Sequence, residues 1–415
     1  MSMGWSRRSV LAGTGAMAVL AGLRADLAAA AASPARLADA AKPITSAERL
    51  QRIAKVQGLM QEQGVAALLV ESGSSLTYFT GIRWWRSERI TAAVIPARGE
   101  TIIVTPFFEA PSIRETLAVP ADVRTWNEDA NPFALIAGAL RDRGAASGKI
   151  AVEQTTRAFI TEGLGKEQGF ETVSGAALVN ACRQIKSPAE LALMQIANDI
   201  TLAALREVHG AVRAGMSSAE ITGLMEAATM RMGATSEFAG ILLNEASAFP
   251  HGSRTPQTVR EGSVILMDCG CIVEDYQSDI SRTWVFGEPT PRQRKVWQTV
   301  RRGQDVVFEA ARVGVPVSAL DAAVRAFYEK EGWGPGFALP GLSHRAGHGI
   351  GMDGHESPYL VGSDQTPLAP GMCFSNEPGL YIPGEFGMRL EDCWQMTEQG
   401  PRVFTPLARS LADPI

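Results

Sequence analysis

Two aspartates, Asp268 and Asp279, stand eleven residues apart in the stretch MDCGCIVEDYQSDISRT, which otherwise reads as a pair of strands. A pleated, half-buried strand disfavours Asp, which gains from turns and loses solvation in an interior. Residues 264–267 (VILM) lead into the first aspartate, and the second opens the run Asp-Ile-Ser-Arg-Thr. The turn-forming residues between them predict a hairpin that sets the two carboxylates side by side. Any fold for this chain must therefore stabilise buried negative charge.

Further acids follow the same pattern. Glu377 lies in SNEPG, just before a Pro-Gly turn, and Glu391 lies in GMRLED, after the strand-like residues 381–383. The chain has only five histidines, and four of them, His251, His344, His348 and His355, sit in Gly-rich or Pro-flanked contexts. Buried carboxylates must be paired, protonated or metal-bound. Four carboxylates outnumber the nearby bases, Arg282 and Arg389, and divalent cations resolve the imbalance. Two metals sharing bridging carboxylates use Asp268, Asp279, His348, Glu377 and Glu391 completely and leave room for a bridging water. Mn fits this mixed carboxylate–imidazole set, as do Co, Zn and Fe. The five cysteines, Cys182, Cys269, Cys271, Cys373 and Cys393, are odd in number and match no zinc ribbon or disulfide framework. They read as packing residues, Cys269 and Cys271 pointing to the strand face opposite Asp268.

Upstream, residues 45–182 read as an α/β unit. Thr45-Ser-Ala-Glu48 predicts a capping box opening an amphipathic helix that Gly64 stops. Strand-like runs at 65–70, 90–95, 101–105 and 150–152 follow, with a helix over 133–141 before the last. Pro188 is placed to open a long helix running toward Arg213. Beyond it the sequence repeats weakly: Arg213-Ala-Gly215 with Ser218-Ala-Glu220, and Arg312-Val-Gly314 with Ser318-Ala-Leu-Asp321, each lead through a helix to a glycine. Such a repeat predicts a duplicated α+β unit with a pseudo-twofold axis and a site between its halves.

The ordered set D-x-G at Asp268, D-x-S-R-T at Asp279, G-H-G-I-G at His348, N-E-P-G at Glu377 and R-L-E-D at Glu391 resembles the dinuclear metallopeptidases of the pita-bread fold, family M24. Within that family it is similar to the Xaa-Pro dipeptidase (prolidase) and aminopeptidase P branch. The resemblance implies a creatinase/prolidase-type N-terminal domain over 45–182, which includes Tyr78-Phe-Thr-Gly81, and a pita-bread catalytic domain over 188–410. It implies that Asp268 chelates one metal and His348 the other. Asp279 and Glu391 then bridge the pair, and Glu377 is a ligand that also shuttles a proton to and from the bridging water. It places His251 at the substrate's leaving or entering group, His355 near the scissile carbonyl and His344 in the substrate pocket. Arg389 becomes a substrate-carboxylate contact or a counter-charge for the acids. The expected activity is hydrolysis of short peptides at Xaa-Pro bonds by a metal-bridging hydroxide. The alternatives on the same fold are a dimethylsulfoniopropionate-type lyase, which requires an extra base, and another non-peptide amide hydrolase such as creatinase, which lacks the ligands retained here. A binding module without activity is a further alternative that the intact ligands oppose. The N-terminal domain excludes a plain methionine aminopeptidase, and the family implies a homodimer or homotetramer.

Residues 1–32 carry Arg7-Arg8, a short Ala/Gly-rich apolar segment and a run of small residues, and resemble a twin-arginine signal peptide. The expected location is periplasmic or secreted, with no membrane anchor once the leader is removed. The formal charge of −5 includes +2 from the leader (three Arg, one Asp), leaving −7 without it. That balance gives no electrostatic basis for nucleic acid as a partner. Trp84-Trp85-Arg86 reads as a domain-interface cluster or an edge for a peptide's terminus.

Overall fold

The computed structural model describes residues 36–415, so the leader lies outside the described residues. Two layered units follow one another. The first is a six-stranded sheet of β1 (Ala67–Glu71), β2 (Ala92–Pro96), β3 (Thr101–Pro106), β4 (Ala121–Trp126), β5 (Gly148–Val152) and β6 (Phe170–Ser174), in the order β4-β3-β2-β1-β5-β6. The four central strands, β1, β2, β3 and β5, are almost wholly buried, and helices cover both faces. The edge strands β4 and β6 are only half-buried, and this is why their apolar patterns were too weak to read.

The helix Ser46–Gln63 starts where the Thr45 hydroxyl accepts the Glu48 amide, and ends at Gly64, whose φ of 64° only glycine adopts freely. The expected reciprocal half of that capping box is redirected. Glu48 instead takes hydrogen bonds from Arg52 at 2.9 Å and from Ser187 at 2.6 Å, tying the first helix to the start of the second unit. Ser187 and Glu190 do form a complete capping box, opening the 24-residue helix Pro188–Ala211.

The second unit holds two sheets. One comprises β7 (Thr235–Leu243), β8 (Val264–Val273), the short β9 (Tyr276–Gln277) and β10 (Ile280–Val285), with β8 central. The other contains β11 (Gly347–Gly349), β12 (Glu356–Leu360), β13 (Cys373–Asn376), β16 (Asp392–Thr397) and β17 (Gly400–Val403), in the order β12-β11-β13-β16-β17. A separate hairpin, β14 (Leu380–Ile382) with β15 (Phe386–Met388), carries Tyr381. The repeated helices flank these sheets at Ser218–Arg231 and Ser318–Lys330. They start differently: Ser217 caps the first in a full capping box, whereas Val317 precedes the second without a side-chain cap.

Glu274 and Asp275, both with positive φ (45° and 71°), make the tight turn after β8. Two consecutive left-handed residues suit the right-handed twist of the strands they join. Arg83 of the first unit bonds both of their carboxylates. All five cysteines are buried and unpaired, as packing residues should be. Trp84 and Trp85 stack at 4.3 Å; Trp84 packs on the core while Trp85 remains exposed. Among the described residues no helix is long and apolar enough to cross a membrane.

Candidate metal centre

The antiparallel β8–β10 pairing places Ser281 opposite Asp268 and Ile280 opposite Cys269, so Asp279 sits one residue further along, just before β10. Asp268 is mid-strand rather than at a strand end. From the other sheet come His348 on β11, Glu377 just after β13 and Glu391 just before β16. The two halves of the second unit thus face each other across the acids. His348 needs glycines on both sides because β11 is squeezed between β12 and β13. A Cβ on Gly347 would drive into the Ser375 carbonyl, and one on Gly349 into that of Glu356.

The sequence set converges. One ligand atom each from Asp268, Asp279 and Glu391 lie within 4.8 Å of one another, and so do atoms of His348, Glu377 and Glu391. A third such group joins Asp279, His348 and His355. His348 is fully buried, and its Nδ1 meets the Gly349 carbonyl at 3.1 Å. A carbonyl can only accept, so Nδ1 carries the hydrogen and Nε2 presents its lone pair. That lone pair faces Glu377 at 3.3 Å, Asp279 at 3.6 Å and Glu391 at 4.0 Å. Burial, then the neighbouring His355, hold the His348 pKa well below the usual histidine range, so protonation does not relieve the clash of lone pairs. Asp279 Oδ1 and Glu391 Oε1 are buried and without a hydrogen-bond partner among the described residues.

The carboxylates repel one another. Burial, then Asp268 and Glu377, push Asp279 well above the ordinary range, and burial, then Asp279, does the same to Glu391. Glu377 is raised to about 7 by burial and by Asp268, against the pull of Arg389. Compensation within the protein is meagre. Arg282 is spent on Asp392 at 2.6 Å, both fully buried, and on the Glu391 carbonyl. Arg389 makes the direct contacts with the cluster: it pairs with Asp268, donates to Ser281 at 2.9 Å and Tyr381 at 3.1 Å, and lies 3.6 Å from Glu391, while Arg345 acts on Glu377 from the cavity wall. The donors of Arg389 are therefore occupied by the protein. Lone pairs converging from an unprotonated imidazole and four carboxylates, with two orphaned oxygens, are a cation-binding donor set.

The remaining histidines line a cavity of about 310 Å³ beside the acids, together with Pro250, Arg345 and Arg389. The His355 ring lies 3.9 Å from that of His348, tilted by 45°, and its Nδ1 lies 3.0 Å from the Arg345 guanidinium. Arginine only donates, so Nδ1 accepts and Nε2–H is left as a free donor. His344 has both nitrogens engaged, Nδ1 on the Arg345 carbonyl at 2.7 Å and Nε2 on Tyr381 Oη at 2.8 Å. Burial, then Arg389, lower its pKa to about 3. His251 stands exposed at the cavity rim. The fifth histidine, His209, lies outside the site and packs edge-on against Trp284.

Sequence reading passed over Tyr381, Ser281, Arg345 and the anchor of the His355 loop. Asp353 and Glu356, on either side of His355, are both held by Arg183 from the first unit, at 2.8 and 2.7 Å, and Lys186 adds a second pair to Glu356. Only the proximity of Arg183 and Lys186 to the domain junction pointed that way.

A duplicated α+β unit with such a donor set between its halves defines a metal-binding enzyme fold. Residues 192–398 match metallopeptidase family M24, and residues 52–185 match the creatinase/prolidase N-terminal domain. The chain is 32% identical over 340 residues to a probable dipeptidase PepE of Mycobacterium tuberculosis, covering 80% of this chain and 87% of that one. It is 30% identical over 344 residues to an Xaa-Pro dipeptidase of Lactobacillus helveticus, covering 81% and 92%. The crystal structure of dipeptidase PepE from Mycobacterium ulcerans superposes with a TM-score of 0.81 at 29% identity, over 88% of this chain and 97% of that one. The chain belongs to metallopeptidase family M24, whose enzymes bind two divalent metals.

Proposed function

We propose that the protein hydrolyses short peptides at Xaa-Pro bonds, and that Asp268, Asp279, His348, Glu377 and Glu391 would hold two divalent ions there. The observation that carries this is the unprotonated His348 Nε2 aimed at three carboxylates, two of which have orphaned oxygens. Bound there, the ions supply Lewis acidity toward the scissile carbonyl and an activated water. Manganese is the favoured metal, since a set of four carboxylates and one imidazole is rich in hard oxygen donors.

The chain's own groups do the rest. Glu377, beside His348 at the edge of the acids, takes up a proton and gives it to the departing amine. His355 directs its Nε2–H at the carbonyl oxygen as negative charge develops there. His251 at the rim meets the end of the peptide. His344 is held neutral by burial and by Arg389, is fixed in place by Tyr381 and the Arg345 carbonyl, and forms a polar wall of the substrate pocket. Arg389 offsets part of the carboxylate charge, the role its internal bonds favour over a substrate contact. Export through the Arg7-Arg8 leader to the periplasm and assembly as a homodimer or homotetramer belong to the same reading, open to cell fractionation and light scattering.

The direct test is hydrolysis of Ala-Pro, Gly-Pro and an Xaa-Pro tripeptide by protein reconstituted with Mn or with Zn. Metal-dependent cleavage supports the reading, and the dipeptide-to-tripeptide ratio separates dipeptidase from aminopeptidase. Protein that holds two metals yet cleaves none of them refutes it.

A further inference from the structure

A second cavity, of about 460 Å³, opens beside the first and shares Pro250, His251, Asp268, Asp279 and His355 with it. Its outer wall is β7: Glu237, Phe238, Gly240 and Leu242 all line it. Phe238, Gly240 and Leu242 share a face by ordinary strand alternation, which would turn Glu237 away. A β-bulge prevents that. Ser236 pairs with Cys271 and Phe238 with Gly270, so two steps on β7 oppose one on β8, and Glu237 is the extra residue. Gly270 makes the arrangement possible, because a Cβ there would strike the Phe238 ring. The bulge thus adds one carboxylate to an otherwise apolar wall. Among the described residues no lysine or arginine lines this cavity, in contrast to the first, which has Arg345 and Arg389.

We infer that this cavity takes the side chain of the peptide's first residue and that Glu237 selects a cationic one, lysine or arginine. The inference rests on the Xaa-Pro peptidase reading. Reach supports it. Gly240 is directly opposite Asp268, and Glu237 lies three residues further along the strand, about 10 Å away. The α-amino nitrogen is only about 2.5 Å from the carbonyl carbon under attack, too close to that centre to meet Glu237. A lysine ammonium, five bonds and about 6 Å from its Cα, spans most of the gap, and the glutamate's own side chain closes it. The methylene stem of such a residue packs along Phe238 and Leu242, leaving its charge at the carboxylate.

The test compares kcat/KM of the metal-loaded enzyme for Lys-Pro, Leu-Pro and Glu-Pro in the wild type, Glu237→Gln and Glu237→Lys. Ratios between substrates are unaffected by partial misfolding. The wild type should favour Lys-Pro over Leu-Pro and disfavour Glu-Pro. Glu237→Gln should lower the Lys-Pro to Leu-Pro ratio about fivefold, the scale of one solvent-exposed ion pair, and Glu237→Lys should move the preference toward Glu-Pro. Leu-Pro cleavage with ratios unchanged in both variants overturns the inference and leaves the peptidase reading intact. Cleavage of none of the three by the metal-loaded wild type overturns both.

Discussion

Replacing Glu377 by Gln should make the metal-free protein more stable, although it removes a residue proposed to be essential. Glu377 lies close to His348 and Asp268 in the interior, and its carboxyl is raised from 4.5 to about 7. A folded-state pKa above the unfolded one means that the native state holds the proton more tightly. The associated stability is intact below about pH 4.5 and is lost as pH rises through about 7. At 1.36 kcal/mol per pKa unit, the ionised carboxylate costs the metal-free fold about 3 kcal/mol at pH 8. Glutamine keeps the shape and never ionises. Thermal unfolding in EDTA, followed by tryptophan fluorescence, should give equal Tm values for the two proteins near pH 4.5. At pH 8 the variant should be higher by roughly 6–12 °C for a cooperative unit of about two hundred residues. Added metal should reverse the order, because the wild type gains binding energy that the variant largely forgoes. A variant less stable than wild type at pH 8 without metal, or a Tm difference independent of pH, would show that the carboxylates are not held under mutual repulsion.

Other outcomes follow from the same geometry. His355→Gln should lower kcat on Xaa-Pro dipeptides at least about 100-fold, as loss of a donor to a developing oxyanion does, with metal content by elemental analysis unchanged. Arg183→Met should destabilise by about 3–5 kcal/mol in urea titrations, because Glu356 then keeps only Lys186 as a counter-charge in the interior. Metal affinity should fall as pH is lowered from 8 to 6, with proton release on binding, since the ions displace protons from Asp279, Glu391 and Glu377. Calorimetry in two buffers of different ionisation enthalpy reads that release directly.

The donor set was legible in sequence because its chemistry is improbable elsewhere: aspartates in a strand, histidines between glycines and glutamates at strand ends carry their own signal. Chain order and spacing then sufficed for the fold. Residues whose role depends on register were not legible. Tyr381 reads as a core aromatic until the β14–β15 hairpin brings its hydroxyl between His344 and Arg389. Arg282 was expected to offset the site's charge, yet its side chain points to Asp392 on the far side of Glu391. Glu237 carries no signal of its own in the sequence, and only the pairing of β7 with β8 reveals the bulge that brings it to the cavity wall. The Thr45 box formed only in half, since Arg52, one turn along the same helix, and Ser187, from the start of the second unit, took the Glu48 carboxylate in place of the local amide.

The decisive measurement is metal stoichiometry and dipeptide hydrolysis measured together on the wild type and Asp279→Asn. Two metals per chain with metal-dependent Xaa-Pro cleavage in the wild type, and fewer than two with cleavage abolished in the variant, are expected. Undiminished cleavage by Asp279→Asn, or by wild-type protein stripped of metal, would contradict the two-metal centre.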